Sequence, residues 1–154
     1  MKKILFGFLA LFSVLFVACA PGSSGLSIAL ARFPIKASEQ WQLSSFKPGN
    51  PEAQTFPLEL YDEPELDEEG ILGVAAEAGK FESEIYYNPQ ENLLLIFVLL
   101  TRGNDPEIAL CIMGNAIAGK TSFKGTSFYG KASELRDLDK LPRERFATCE
   151  LSKK

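Results

Sequence analysis

Histidine is absent from the 154 residues of this chain, and cysteine and tryptophan are scarce, with three residues and one. Without an imidazole, Ser–His and Cys–His activation of a nucleophile are excluded, and the commonest zinc ligand is missing. A carboxylate pair, or a lysine that activates a serine, would still serve an enzyme, but no spacing in the sequence brings such partners together. We therefore expect a protein that is not an enzyme and needs no cofactor.

The longest apolar run is at the N-terminus. Two lysines at positions 2 and 3 precede an apolar stretch over residues 4–17, and the small residues Ala18 and Cys19 follow it. A short basic segment, an apolar segment and a small-residue end are typical of a secretory signal peptide. The run is shorter than the roughly 20 residues that a membrane-spanning helix needs, although a transmembrane anchor is the alternative interpretation. We predict that residues 1–18 are a signal peptide.

The end of this stretch, Phe16-Val17-Ala18-Cys19, resembles the lipobox of bacterial lipoproteins, with Phe16 where leucine is usual. In that family the cysteine is acylated and becomes the first residue of the mature chain. The resemblance therefore implies a palmitate-bearing membrane anchor at Cys19 and a place in the bacterial cell envelope. Ala20 is not the aspartate that typically retains such proteins at the inner membrane, which favours the outer membrane, facing the periplasm, in a cell with two membranes.

The rest of the chain divides into a tether and one domain. Glycine, serine and proline dominate residues 20–25. We predict that residues 19–37 consist of the lipidated cysteine and a flexible tether. Residues 38–154 are expected to form one β-rich domain, which is long enough for its own core. Beyond residue 18 lie all twenty carboxylates and fourteen of the sixteen basic residues, so the net charge there is −6. This charge argues against a nucleic-acid partner.

Two cysteines remain once Cys19 is assigned to the lipid anchor. In an oxidising compartment, Cys111 and Cys149 are predicted to form a disulfide bond. Two buried thiols are the alternative. A bridge that closes a loop of this length would stabilise the fold by about 4 kcal/mol in the chain-entropy model.

Strand patterns recur through the predicted domain. Alternating apolar residues and turn sequences such as residues 47–51 outline about eight strands with mostly short connections. Residues 93–100 are apolar throughout, which predicts a strand covered on both faces, with a helix as the alternative. The charged residues 134–145 predict a short helix or an excursion loop. The expected fold class is all-β: an antiparallel meander that forms a small barrel or a sandwich.

Seven aromatic residues are candidates for a ligand or partner surface. Such rings line the cavity of a barrel that binds a small apolar ligand, but packing in a core explains them equally well, and ring edges left exposed would serve a partner. The candidate set is Trp41, Tyr86, Tyr87, Phe97, Phe123, Phe128 and Tyr129.

Two other patterns resemble ligand sites. Residues 114–121, GNAIAGKT, match the phosphate-binding pattern G-x-x-x-x-G-K-T, which works at the start of a helix. Two glycines and a strand-like alternation follow it here, so we predict a strand and no nucleotide partner. Six carboxylates crowd residues 62–69, and clustered carboxylates attract calcium. This stretch lacks the spaced pattern with a central glycine, so we predict a solvated loop and no metal site.

Two further family resemblances cover the β-rich region. The segment Trp41-Gln42-Leu43, followed by an apolar strand and Cys111, is similar to the META-domain lipoproteins over residues 41–111. Residues 75–79 stand where that family has Gly-Cys-Asn, so no function is carried over. A lone tryptophan before a meander is also similar to lipocalins and other calycins, which are β-barrels, with Glu39 at the glycine position of their G-x-W signature.

Three functional hypotheses follow. The first is a lipid-anchored, non-catalytic module that binds an envelope protein or polymer. The second is a carrier of a small apolar ligand in a barrel cavity, and the third is a histidine-free envelope hydrolase. A filled interior would favour the first hypothesis, and a continuous apolar cavity would favour the second.

Overall fold

The computed structural model describes residues 23–46 and 52–154, so Cys19 and the predicted signal peptide lie outside the described residues. One α-helix, α1 (Ser23–Arg32), precedes the strands β1 (Trp41–Phe46), β2 (Ala53–Leu60), β3 (Glu65–Leu66), β4 (Leu72–Ala78), β5 (Phe81–Asn88), β6 (Leu93–Leu99), β7 (Glu107–Met113), β8 (Ser122–Lys131) and β9 (Phe146–Lys153). Two 3₁₀ segments, Ala132–Lys140 and Arg143–Arg145, join β8 to β9. Within these ranges, no helix has the length and apolarity to cross a membrane.

Eight strands close into an antiparallel barrel. Each of β1, β2 and β4 to β9 pairs with two neighbours in the meander, and β9 returns to β1, where Lys153 is opposite Trp41. The two-residue strand β3 continues the path of β2 beside β4. The predicted all-β meander of about eight strands is confirmed, and the closure is that of a barrel. Closure pairs every strand edge, which a sandwich would not do.

Alternate residues of each strand point into the barrel, as a pleated strand requires. On β1 the buried Trp41, Leu43 and Ser45 alternate with half-buried neighbours, and β4, β5 and β6 show the same period of two. The interior of an eight-stranded barrel is just wide enough for side chains to fill it. The main core of the protein therefore lies inside the ring of strands.

One end of the barrel, here called the helix end, is closed by α1 and the residues after it. Ala29, Phe33 and Ile35 are buried in the barrel core, and Arg32 Nη1 donates a hydrogen bond of 3.4 Å to the Pro89 carbonyl in the β5–β6 turn. The prediction of a flexible tether over residues 19–37 is therefore wrong from Ser23 onward. Packing against the barrel removes the apolar side chains of this segment from water, so the chain folds back onto the barrel.

A second apolar cluster, the outer cluster, lies outside the ring on β6, β7 and β8. Residues 132–145, here called the β8–β9 connection, cover it, so both faces of β6 are covered, as predicted for residues 93–100. The helix alternative for this stretch is wrong. The buried members are Ile108, Leu110, Phe128 and Ala132, with Leu95, Phe97, Leu99, Ile112, Leu135, Leu138, Leu141 and Phe146 packed against them.

Cys111 on β7 and Cys149 on β9 form the predicted disulfide bond, with 6.2 Å between their Cα atoms. The bridge passes over β8, where Gly125 pairs with Cys149 and Ser127 pairs with Cys111. A Cβ atom at Gly125 would overlap the backbone carbonyl oxygen of Ile112. Glycine is therefore needed here because β7 and β8 approach each other closely beneath the bridge.

Candidate functional site

The seven candidate aromatic residues do not form one site. Three of them are buried inside the helix end of the barrel, one lines the interior near the opposite end, and three lie on the outer side of the strands. The residues inside the helix end are Trp41, Tyr87 and Phe123, and the residue near the opposite end is Tyr129. The residues on the outer side are Tyr86, Phe97 and Phe128. Sequence spacing did not reveal this division, because it follows from which face of the closed sheet each strand presents.

Rings packed against one another fill the helix end. The Trp41 indole stacks on Phe123 with ring centroids 5.6 Å apart and planes 23° apart. Phe33, which follows α1, meets Tyr87 edge to face at 5.9 Å. Trp41 and Tyr87 are 2% and 1% exposed. These geometries are those of stable aromatic pairs, so these residues act as core at this end.

The polar atoms of these aromatic residues have protein partners. Trp41 Nε1 donates to Glu39 Oε2 at 3.2 Å, and Lys153 Nζ donates to Glu39 Oε1 at 2.8 Å. The hydrogen bond from Lys153 is the main cause that holds the pKa of the Glu39 carboxyl below its usual range. Tyr87 donates its hydroxyl to Asn92 Oδ1 at 3.2 Å, and burial raises the pKa of that hydroxyl. These groups are satisfied without a ligand.

A small void lies toward the end opposite α1, here called the far end. Its volume is about 10 Å³, which is close to the space of a single water molecule, and the residues that line it include Ser45, Phe56, Val98, Leu100 and Tyr129. Ser45 is 4% exposed. Its Oγ is the one buried side-chain polar atom of the described ranges without a hydrogen-bond partner. The far end therefore combines an apolar wall with one unsatisfied hydroxyl.

Outside the ring, Tyr86 meets Phe97 edge to face, with centroids 5.7 Å apart. The hydroxyl of Tyr86 donates to Glu84, and burial is the first cause that raises the pKa of Tyr86. Phe128 is fully buried beneath the β8–β9 connection, with Phe146 at 5.8 Å. Phe97 and Phe128 therefore belong to the outer cluster and are not exposed ring edges.

Polar contacts hold the β8–β9 connection in place. Arg145 Nη2 lies 2.8 Å from Glu134 Oε2, which also accepts the Lys131 N–H at 2.7 Å. At the other side, Ser133 donates its N–H and its hydroxyl to the Asp105 carboxylate at 2.9 and 3.0 Å. The backbone hydrogen bond from Ser133 is the largest cause that lowers the pKa of Asp105. Charge-assisted contacts of this kind order a connection that is otherwise exposed.

Residues 114–121 form the loop between β7 and β8 at the helix end. Lys120 Nζ donates to the Asn115 carbonyl within the same loop at 3.2 Å, and the Ala116 N–H donates to the Asn92 carbonyl at 2.8 Å. Strand β8 follows, as predicted, so the loop amides are not at the start of a helix, where the phosphate-binding motif requires them.

In the acidic loop, Asp67 Oδ1 accepts the N–H groups of Glu69 and Ile71 at 2.9 and 2.8 Å. This is a turn that the aspartate itself stabilises. Across residues 23–46 and 52–154, no group of three or more acidic or cysteine side chains has the arrangement of a metal site.

One surface feature escaped the sequence analysis. Glu59 on β2, Glu77 on β4 and Glu82 on β5 are register partners in one row across the outer face. Tyr61, 58% exposed, donates its hydroxyl to Glu77, and this hydrogen bond is the main cause that raises the pKa of Tyr61. Like charges directly opposite each other disfavour the sheet. No sequence signal was available, because the strand register alone brings these separate residues together.

No family model, curated protein or solved structure matches the chain. The geometry of the molecule is a closed antiparallel barrel of eight strands with a disulfide bond across one wall. This fold is compatible with both a binding module and a ligand carrier.

Proposed function

We propose that this protein is a lipoprotein of the bacterial cell envelope, anchored through acylated Cys19, whose barrel is a non-catalytic module that binds an envelope protein or polymer through its outer surface. The predicted signal peptide and the lipobox-like residues 16–19 support the anchor. If the cell has two membranes, the outer membrane facing the periplasm is the proposed location. The predicted oxidising compartment suits the bridge between Cys111 and Cys149.

The filled interior of the barrel is the observation that carries the choice of a binding module. Pockets for drug-sized ligands enclose roughly 300–1,000 Å³, whereas the void beside Ser45 measures about 10 Å³. Trp41, Tyr87 and Phe123 occupy the space that a carrier would leave for an apolar ligand. A protein with its interior filled by side chains must recognise a partner with its outside.

On the outer surface of the barrel, the proposed binding site for the partner is the region around Tyr61. Tyr61 is an exposed aromatic residue beside the Glu59–Glu77–Glu82 row, and tyrosine is enriched at protein interfaces. Because the row is acidic, a basic segment of an envelope protein is the complementary partner. Arg102, which is largely exposed, forms an ion pair with Glu82 of this row.

The anchor is tested by the intact mass of the full chain purified from bacterial membranes in detergent. We expect residues 1–18 to be missing and the N-terminal cysteine to carry acyl groups, with labelled palmitate incorporated. A Cys19→Ser variant is the matched control and is expected to lose both the label and membrane attachment. An unmodified Cys19 in the membrane-extracted protein would overturn the lipoprotein proposal.

The binding function is tested by placing a photo-crosslinking phenylalanine derivative at Tyr61 in growing cells, with Asn104 as the control position. Asn104 is also exposed and lies in the β6–β7 loop. We expect one cross-linked envelope protein or polymer at Tyr61 that is absent at Asn104 and is lost when Glu59, Glu77 and Glu82 are changed to glutamine. Equal cross-linking at both positions would contradict a partner site at Tyr61.

A carrier of a small apolar ligand is the second candidate, and the mostly apolar lining of the far-end void favours it. Native mass spectrometry of the full chain, before and after mild organic extraction, separates the two functions. We expect a protein mass without an additional ligand. An apolar mass that leaves on extraction would make this protein a carrier instead.

A further inference from the structure

Helix α1 has an apolar surface toward solvent. Residues 23–31 contain no charged side chain, and Arg32 is the one basic residue of the last turn. Leu26 and Ile28 are 41% and 60% exposed, although Ala29 from the same helix is buried in the barrel core. A surface helix normally presents polar or charged residues opposite its buried stripe. The sequence of α1 instead provides apolar side chains on both sides.

The loop between β7 and β8 adds a third exposed apolar side chain at the same end of the barrel. Ile117 is 47% exposed. Its neighbour Ala116 donates its N–H to Asn92 in the β5–β6 turn, and Arg32 at the end of α1 donates to Pro89 in that same turn. Of the four exposed large apolar residues in the described ranges, three therefore lie at the helix end, and Tyr61 is the fourth.

The length of the chain before α1 limits how far this end can lie from the membrane. Three residues separate Cys19 from Ser23. A fully extended chain spans at most roughly 3.6 Å per residue, so Ser23 lies within about 15 Å of the acylated cysteine. The acyl groups of that cysteine lie in the bilayer. The helix end of the barrel is therefore the end nearest the membrane, and the far end points away.

We propose that the protein docks on the phospholipid bilayer through its helix end, with α1 lying in the headgroup region and Leu26, Ile28 and Ile117 entering the apolar boundary. The proposal rests on the lipid anchor at Cys19. Docking adds a second attachment to the membrane, and stable anchoring of a lipid-modified protein takes more than one such attachment. Docking fixes the orientation of the barrel on the membrane. The far end then faces the periplasm, and the wall that carries Tyr61 rises from the membrane surface.

Charge at the helix end does not select anionic lipids. Lys36 and Lys120 lie there with Arg32, but the acidic β3–β4 turn with Asp67 is at the same end, because Leu72, which follows that turn, pairs with Tyr87. The six carboxylates of residues 62–69, with Glu91 in the β5–β6 turn, outnumber these basic residues. An anionic surface therefore repels the helix end, and salt screens that repulsion. We expect the docking to be apolar, to be stronger on phosphatidylcholine than on mixed phosphatidylethanolamine–phosphatidylglycerol vesicles at low salt, and to become similar on both as salt rises.

The test uses the full acylated chain in vesicles of these two compositions, with one environment-sensitive fluorophore per variant. Labels at Leu26→Cys, Ile28→Cys and Ile117→Cys report on the proposed contact. Asn104→Cys, in the β6–β7 loop at the far end, is the matched control. We expect quenchers confined to the bilayer to reduce the three helix-end signals several-fold more than the Asn104 signal, and aqueous iodide to show the opposite order.

The outcomes distinguish docking from anchoring. Acylated protein with all four labels equally accessible to iodide would overturn the docking while leaving the anchor intact. A chain without acyl groups on Cys19 would overturn the anchor and, with it, the docking. Helix-end labels that are shielded from iodide but not quenched from the bilayer, together with a dimeric mass, would show that a second copy covers this end and would also overturn the proposal.

Discussion

The barrel interior and the outer cluster contain similar apolar side chains, but they are closed in different ways. The interior is surrounded by eight hydrogen-bonded strands and crossed by the bridge between Cys111 and Cys149. The outer cluster is covered by the β8–β9 connection, which is held by Arg145–Glu134 and Ser133–Asp105 contacts that water reaches. Partly exposed ion pairs contribute little to stability. We infer that the connection opens at a lower free energy than the barrel.

The disulfide bond provides the largest expected effect on the interior. Replacing Cys111 and Cys149 together with serine should lower the free energy of unfolding by about 4 kcal/mol, because the unfolded chain regains the entropy of an open loop. Urea denaturation of both proteins measures the loss. Reductant should destabilise the natural protein to the same extent and leave the double variant unchanged; an equal response of both proteins would contradict this explanation.

A pair of leucine truncations compares the two clusters directly. Leu43 is 1% exposed inside the barrel, whereas Leu138 lies half-buried in the connection. Leu43→Ala should cost about 2–5 kcal/mol of global stability, and Leu138→Ala should cost less than half as much. Hydrogen exchange should accelerate throughout the barrel for the first variant but only in residues 132–145 for the second. Identical exchange patterns would show that the two clusters unfold as one unit.

Two glycine substitutions compare the rigidity of the barrel with that of the β8–β9 connection, and their expected effects on stability are intermediate. A Cβ atom at Gly125 would meet the backbone of Ile112, whereas one at Gly130 would meet the side chains of Phe128, Glu134 and Arg145. The barrel backbone cannot yield, so Gly125→Ala should destabilise by about 1–3 kcal/mol. Glu134 and Arg145 are partly exposed and can shift, and at Phe128 only the tip of the ring would have to move, so Gly130→Ala should cost less. Thermal unfolding gives the order, and a larger loss at Gly130 would reverse our view of which region is rigid.

The smallest expected effect is a pH response of the connection. The pKa of Asp105 is lower in the folded protein, chiefly because of the Ser133 N–H, so its contribution is present above the unfolded pKa and is lost as the pH falls through the folded pKa. Acidification from about pH 6 to about pH 3 should therefore accelerate local opening of residues 132–145. Asp105→Asn should weaken this response in a pH-dependent fluorescence or NMR measurement, and an unchanged response would assign it to another group.

The sequence predicted much of the barrel, because its signals are local. Alternation along β1, β2 and β5, and the uninterrupted apolar run of β6, each follow from the period of a strand and from whether one or both faces are covered. The bridge followed from the even pair of cysteines in a predicted oxidising compartment. The N-terminal part of the domain was misjudged, because Gly25 and its serine neighbours indicate a flexible chain, while the core that stabilises α1 is formed by distant strands.

The seven aromatic candidates illustrate why the site was harder to predict than the fold. Neighbours in sequence, such as Tyr86 and Tyr87 or Phe128 and Tyr129, point to opposite faces of the sheet. Tyr87 and Tyr129 therefore belong to the barrel core, whereas Phe128 belongs to the outer cluster and Tyr86 contacts Phe97 outside the ring. The acidic row with Tyr61 was missed for the complementary reason, since its members are distant in sequence and meet only through strand register.

By itself, the sequence determined the lack of imidazole chemistry, the strand periodicity and the pairing of two cysteines, because these depend on residue type and near-neighbour order. The export signal stays a prediction from the same kind of local pattern. Only the tertiary structure decided that the sheet closes as a barrel, that Trp41, Tyr87 and Phe123 fill its interior, and that α1 covers one end while leaving Leu26 and Ile28 exposed. The physical reason is that closure and filling depend on contacts between strands far apart in the chain, whose register and volume no local pattern encodes.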